Sequence, residues 1–144
     1  MQNIKVKNVI IGKQFEISEN FKEFKEIAKD KNIKVIVVED GNKINIEEDI
    51  YFDILWPNSK YEILENSINN NALVCKLNYK DFSVLFTGDI EEEAEKILVS
   101  KYGNSDVLKS TILKSPHHGS KSSSTQEFLE LVEPKIALIG VRKR

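Results

Sequence analysis

Two histidines and one cysteine are the only imidazoles and thiol in 144 residues. The single thiol, Cys75, excludes an internal disulfide and any zinc site built on cysteines. Within ALVCKL it reads as a small buried hydrophobe. No apolar run approaches the roughly 20 residues that a membrane-spanning helix needs, and the N-terminus has no signal-peptide pattern. There is no internal repeat, linker or low-complexity tract. Neither sign of charge dominates: 21 Lys and Arg stand against 23 Asp and Glu, a formal net charge of -2. Bulk electrostatics therefore gives no push toward nucleic acid. What remains is 40% hydrophobic and 31% charged residues, the balance of one ordinary globular domain with a real core. Residues 1–144 are read as a single domain. Strand-like sequence begins at Ile4, and the chain stops at VRKR directly after IALIGV. Ends that fall inside core elements are expected of a piece of something longer.

The pattern along the chain mixes strands and helices. KVKNVIIG reads as a buried strand that leaves through Gly12. Phe21, Phe24, Ile27 and Ala28 then recur at helical spacing, with Ser18 as the expected N-cap and Lys29 and Lys31 suited to the C-terminal dipole. IKVIVV is a β-branched strand, and Asp40-Gly41 a turn. KINIEEDIYFDILWP alternates around a break at Glu47 to Asp49 and ends at Pro57. ENSINNNA reads as a polar loop. ALVCKLNYKDFSVLFTGD reads as an antiparallel hairpin turning near Tyr79 to Asp81. EEEAEKILVSKYG is a helix with an acidic first turn, and STILKSP a further strand. Ser124 to Glu127 has capping-box spacing for the helix TQEFLELVE. Pro134 stops that helix, and KIALIGV is the last strand. The expected class is α/β or α+β, a mixed sheet with helices on a face.

Chemistry concentrates in two short segments, LFTGD and LKSPHHGSKSSST. Asp89 follows an apolar strand and a glycine, so it sits at a strand's carboxyl end, where open α/β sheets place ligands. The competing reading makes it the N-cap of the helix that follows. Both histidines of the chain, His117 and His118, fall in the second segment. On an extended backbone neighbours point to opposite sides, so at most one of them faces the same centre as Asp89. The other would orient the loop or touch substrate. Imidazole suits borderline metals such as zinc; the competing reading is a polar loop with a hydrogen-bonded histidine. Ser120, Ser122, Ser123 and Ser124 lack the surroundings of an activated nucleophile and read as a helix cap and as loop donors to backbone or phosphate. Lys114, Lys121 and the tail Arg142-Lys143-Arg144 could meet phosphates, or simply be solvated surface. Trp56 reads as packing, Asp53 lacks a supporting spacing argument, and Asn69 to Asn71 read as loop.

The order of FDILWP, an Asn-rich loop, a hydrophobic hairpin, LFTGD, LKSPHHGSKSSS, a helix and PKIALI resembles the C-terminal metallo-β-lactamase-like domain of ComEC/Rec2 competence proteins. The similarity runs from about Asp53 to Ile139. It implies an αββα sandwich and a site for one or two divalent metals, Zn or Mn. In that superfamily the aspartate of TGD bridges two metals, which carries over to Asp89. A histidine at the later strand end completes one metal; the assignment is His118, with His117 as the alternative. His117, Ser120 and Lys121 are then expected to address substrate. The superfamily hydrolyses esters, amides and phosphodiesters with metal-activated water, and its competence members are thought to act on DNA during uptake.

The superfamily's H-x-H-x-D-H ligand stretch has no counterpart here. The resemblance therefore implies a partial domain whose N-terminal part is missing. Asp89 and one histidine supply two ligands where a catalytic zinc usually has about three, so the chain alone is expected to be inactive. The parent would be a bacterial phosphodiesterase or nuclease, membrane-associated, with this chain a soluble part of it. The alternative is a non-catalytic module that keeps the fold for binding or structure. A half-sandwich should also expose a sheet edge and form homo-oligomers through it.

Overall fold

A computed structural model describes residues 5–13 and 18–141. Ile4, where the first strand was expected to begin, and the basic tail Arg142-Lys143-Arg144 lie outside the described residues.

The N-terminal unit is β1 (Asn8–Gly12), α1 (Glu19–Asp30) and β2 (Lys34–Val38), with the two strands parallel. Parallel neighbours need a crossover, and α1 supplies it. The helix starts where its cap predicts: Ser18 Oγ accepts the Phe21 N–H at 3.2 Å. Its apolar stripe brings Ala28 into the interior. The expectation of a buried first strand does not hold. Ile10 and Val37 stay exposed, because a two-stranded sheet offers each residue few neighbours.

The main sheet has six strands: β3 (Lys43–Glu47), β4 (Ile50–Trp56), β5 (Val74–Tyr79), β6 (Phe82–Phe86), β7 (Ile112–Lys114) and β8 (Ile136–Leu138). They lie in sequence order, so β3 and β8 are its edges. β3 to β6 form an antiparallel meander, while β6–β7 and β7–β8 are parallel. The change of direction falls where helices enter the sequence. α3 (Glu92–Tyr102) joins β6 to β7, and α4 (Gln126–Val132) joins β7 to β8.

Both helices pack on one face. Leu85 and Leu113, register partners on β6 and β7, are 0% and 1% exposed and join Ile90, Ala94, Leu98 and Phe128 in the core. At the other end of α3, Asp40 accepts from Tyr102 Oη at 2.8 Å and pairs with Lys101, tying the helix to the β2–β3 turn.

The opposite face is apolar and only partly covered. Ile44, Phe52, Leu77, Val84, Ile112 and Ile136 are register partners from each strand to the next, a single row across all six strands. Ile136 is 51% exposed. A sheet whose two faces are both apolar is built to be covered on both.

Two further expectations are corrected. The ENSINNNA segment is not loop throughout: Ser67–Asn70 forms the short helix α2. Its asparagines turn inward because they satisfy backbone groups there. Asn71 accepts the Ile63 N–H at 3.1 Å and donates to the Ile63 carbonyl at 2.8 Å, and the Asn70 carbonyl accepts the indole N–H of Trp56 at 2.7 Å. The capping box at Ser124 does not form either. Ser124 has a left-handed φ of 65°, and the N-cap position is Thr125, without a side-chain cap. The Glu95 carboxylate, from the neighbouring helix, takes the backbone N–H groups of Ser124 and Thr125, the first of which Glu127 would have accepted in a capping box.

Candidate metal centre

Three parallel strands end side by side, and each delivers one part of the site at its carboxyl end, where such sheets bind ligands. β6 delivers Thr87-Gly88-Asp89, β7 delivers the histidine loop, and β8 delivers Gly140.

The Thr-Gly-Asp segment divides its labour by residue type. Thr87 is fully buried, and its hydroxyl donates to the Lys114 carbonyl at 2.8 Å, linking the ends of β6 and β7. Gly88 turns the chain with φ 58°, and a Cβ there would come within 2.9 Å of Ala72 Cβ, so only glycine fits. Asp89 then points outward and is 42% exposed. It does not cap α3. The N-cap position is Glu91, whose N–H is taken by Asn70 Oδ1 at 2.9 Å.

The histidine loop is a tight turn rather than an extended segment. His117, His118 and Gly119 have φ of 42°, 55° and 76°. Left-handed conformations cost a residue with a side chain roughly 1–2 kcal/mol, and strain of this kind persists only where surrounding bonds hold it. Here the Gly88 carbonyl accepts the His117 N–H at 3.3 Å. The same carbonyl accepts from Lys114 Nζ at 2.7 Å. The two imidazoles do face different partners, but the cause is this left-handed turn and not strand alternation.

His118 Nδ1 lies 2.8 Å from the Gly140 carbonyl. A carbonyl only accepts, so Nδ1 carries the hydrogen and the neutral ring keeps its lone pair on Nε2. That nitrogen is 3.5 Å from Asp89 Oδ1. Two donors bonded to one tetrahedral zinc at about 2.1 Å stand about 3.4 Å apart. Asp89 and His118 therefore have the spacing, and His118 the tautomer, of two ligands of one cation. Lys114 Nζ also lies 3.5 Å from Asp89 Oδ1, a fixed positive charge beside the same oxygen. Among the described residues no group of three His, Cys, Asp or Glu side chains is gathered to hold a metal. The residues fit a cation as two of its ligands, and not as a complete set.

His117 turns to a second cluster. Its Nδ1 is 3.0 Å from Glu91 Oε1. Glu91 also accepts from Asn66 Nδ2 at 2.6 Å and Ser122 Oγ at 3.0 Å. These bonds, the one from Asn66 foremost, outweigh burial and hold the Glu91 carboxyl below the usual carboxylate range. Ser120 Oγ bonds to Ser122 Oγ at 3.0 Å, so it touches this cluster through Ser122. Lys121 is exposed beside it. Asp53 is elsewhere, on the sheet face with Lys43 and Asn78. Trp56 is packing, as expected.

Sequence reading missed Glu91, Asn66, Asn70 and Gly140. Only Glu91 carried a signal, as the acidic residue two positions beyond Asp89 at the N-cap of α3.

The Metallo-beta-lactamase superfamily pattern matches residues 69–141, half of the chain, and takes in both LFTGD and LKSPHHGS. The chain belongs to the metallo-beta-lactamase superfamily. Its mixed α/β fold, with helices on one face of the large sheet, agrees with that membership. Relatives within the superfamily carry competence names. The chain is 30% identical to ComE operon protein 3 of Bacillus subtilis (strain 168) over 143 residues, which is 99% of this chain and 18% of that protein. It is 33% identical to Recombination protein 2 of Haemophilus influenzae over 63% of the chain and 10% of that protein. It is 34% identical to Competence protein ComA of Neisseria gonorrhoeae over 60% of the chain and 12% of that protein. The chain thus spans less than a fifth of the length of the curated relatives it matches. Among the described residues no helix is long and apolar enough to cross a membrane.

Proposed function

We propose that this chain supplies part of the metal site of a phosphodiester hydrolase that acts on DNA in connection with competence. The observation that carries the reading is the pairing of Asp89 Oδ1 with His118 Nε2 at 3.5 Å, with His118 Nδ1 tied to the Gly140 carbonyl. Such outer bonds are how proteins fix the ring that binds a metal. Asp89 and His118 would hold a divalent cation, Zn or Mn. The cation's contribution is Lewis acidity toward a phosphoryl oxygen and toward water. Lys114 balances the charge of Asp89. His117, Ser120 and Lys121 lie on the loop that would meet the phosphate. The relatives' competence names support the link to DNA, and superfamily membership supports the hydrolytic class.

Calorimetric titration of Zn or Mn into the wild type, Asp89→Ala and His118→Ala tests the assignment. Each substitution is expected to weaken binding at least tenfold. Equal affinity in wild type and variants would remove those residues from the site.

The absence of a third ligand among the described residues favours a second reading, a non-catalytic module that keeps the fold for binding. It predicts that neither metal binds the wild type in the same titration.

A further inference from the structure

We propose that Leu64 and Ile68 form an apolar lip that takes a nucleobase of the DNA strand whose phosphate meets the histidine turn. The inference rests on the phosphodiester reading above for its ligand, and on the geometry around α2 for its place and chemistry.

Leu64 is 81% exposed and Ile68 79%, the two most exposed large apolar side chains among the described residues. Exposed apolar residues scattered singly are ordinary, but these two form a pair on a held backbone. The nearly buried Asn71 accepts the Ile63 N–H and donates to the carbonyls of Ile63 and Ser67. Leu64 and Ile68 each directly follow one of those two clamped residues. Between them Asn66 is left-handed, with φ 44°, and its carbonyl accepts the N–H groups of Asn69 and Asn70 at 2.9 Å. Strain of this kind persists only where surrounding bonds hold it. The segment is bonded inward at Ile63, Ser67 and Asn70 while its two apolar side chains stand outward.

The pair borders an open groove of about 370 Å3, lined by Leu64, Asn66, Ser67, Ile68 and Asn69. That is the scale of a small-ligand site. No cationic side chain lines it. Asn66 turns its amide nitrogen to Glu91 Oε2 at 2.6 Å, and the Ser67 hydroxyl donates to Glu62 at 3.2 Å. Two carboxylates therefore stand beside the groove, and an anion is a poor occupant. A flat neutral group with apolar faces and an N–H edge suits it. A nucleobase is such a group. Displaced bases are held between apolar side chains with polar groups at their edges, and Leu and Ile are among the side chains inserted between bases.

Glu91 joins this groove to the histidine turn. Its Oε2 accepts from Asn66, and its Oε1 lies 3.0 Å from His117 Nδ1. A phosphate near Lys121 and a base near α2 are then adjoining places for one strand. That continuity favours the strand over a second copy of the chain, to which the lip offers only two side chains, far short of a stable protein interface.

Methyl NMR and fluorescence anisotropy on the metal-free chain test the proposal, with oligothymidylate and an abasic strand of equal length as probes. Oligothymidylate should shift the Leu64 and Ile68 methyl signals and bind about tenfold more tightly than the abasic strand. The double variant Leu64→Ser/Ile68→Ser should bind both strands with the affinity that the wild type has for the abasic one. Equal wild-type affinities overturn the proposal, whether or not the variant folds, and so do methyl signals that oligothymidylate does not move. Base discrimination that survives in the double variant also overturns it. Methyl signals that move on concentrating the chain alone, and not with the strand, give the groove to a second copy and overturn it as well. Because no metal is present, failure of the Asp89–His118 site would leave the base discrimination standing, and loss of that discrimination would leave the metal titration untouched.

Discussion

The carboxylate of Glu95, inside α3, accepts the backbone N–H of Ser124 at 2.6 Å and that of Thr125 at 2.7 Å. Glu95 is fully buried. One helix thus supplies the cap of the next, and the anion sits at the positive end of α4. Glu95→Ala leaves two donors unpaired in the interior. A loss of about 3 kcal/mol is expected, read as a lower denaturation midpoint with an unchanged slope. Glu95→Gln, which keeps one acceptor oxygen, should fall between.

Asn70 joins three elements by accepting from Glu91 N–H, donating to the Glu65 carbonyl and lending its own carbonyl to Trp56. Asn70→Ala should cost about 2 kcal/mol, since buried backbone groups lose their partners. Ile68→Ser, two residues away and exposed, should change stability by less than about 0.5 kcal/mol. Thermal scans of the two variants make the comparison.

Leu85 and Phe86 are adjacent on β6 but on opposite faces. Leu85 is 0% exposed under α3 and α4, while Phe86 is 39% exposed on the open face. Leu85→Ala should destabilise by about 2–5 kcal/mol, and Phe86→Ala by about 1 kcal/mol. Equal losses in urea unfolding would show that the open face is covered in solution.

That open face should also drive concentration-dependent association of the chain, since large exposed apolar patches mark contact surfaces. The expected contact is the face as well as the edge strands. Sedimentation should report a species larger than a monomer, and Val84→Lys should shift it toward monomer. A wild-type monomer at every concentration contradicts the prediction.

Cys75 lies in the same row as Ile54 and Phe86. Burial pushes its thiol up to about 11. Alkylation of the folded chain should therefore be slow at neutral pH and rise until about pH 11, because the thiolate is the nucleophile. The sign for stability follows. The folded chain keeps a proton that the unfolded one releases above about pH 9, so this group's contribution to stability is intact below that pH. It is lost as pH rises toward 11. A folded-state labelling rate equal to that in denaturant would refute the assignment.

Most of the fold was legible because its signals are local. The Ser18 cap, the break before Asp49 and the hairpin turn at Lys80 depend on residues a few positions apart. So did the placement of Asp89 and the histidines at strand ends. What escaped depends on pairings across the sheet. Ser124 and Glu127 have the spacing of a capping box, yet the buried carboxylate of Glu95, some 30 residues earlier, takes the Ser124 N–H that Glu127 would have accepted. Asn66 and Asn70 look like loop polar residues until the turn of α2 brings them against Glu91. His118 needs the Gly140 carbonyl, and only the parallel register of β7 and β8 brings it near.

The sheet's two halves differ in how far apart in sequence their partners lie. β3 to β6 pair largely as neighbours, and two of the three contacts close through tight turns. β6, β7 and β8 pair only after a helix has been threaded between each, and it is their ends that carry Asp89, His118 and Gly140. Closing long loops before any contact rewards them is slow. The chemically equipped end of this chain is thus the late-forming end. In amide hydrogen exchange the meander is expected to hold its protons longest, with the histidine turn among the first regions to open.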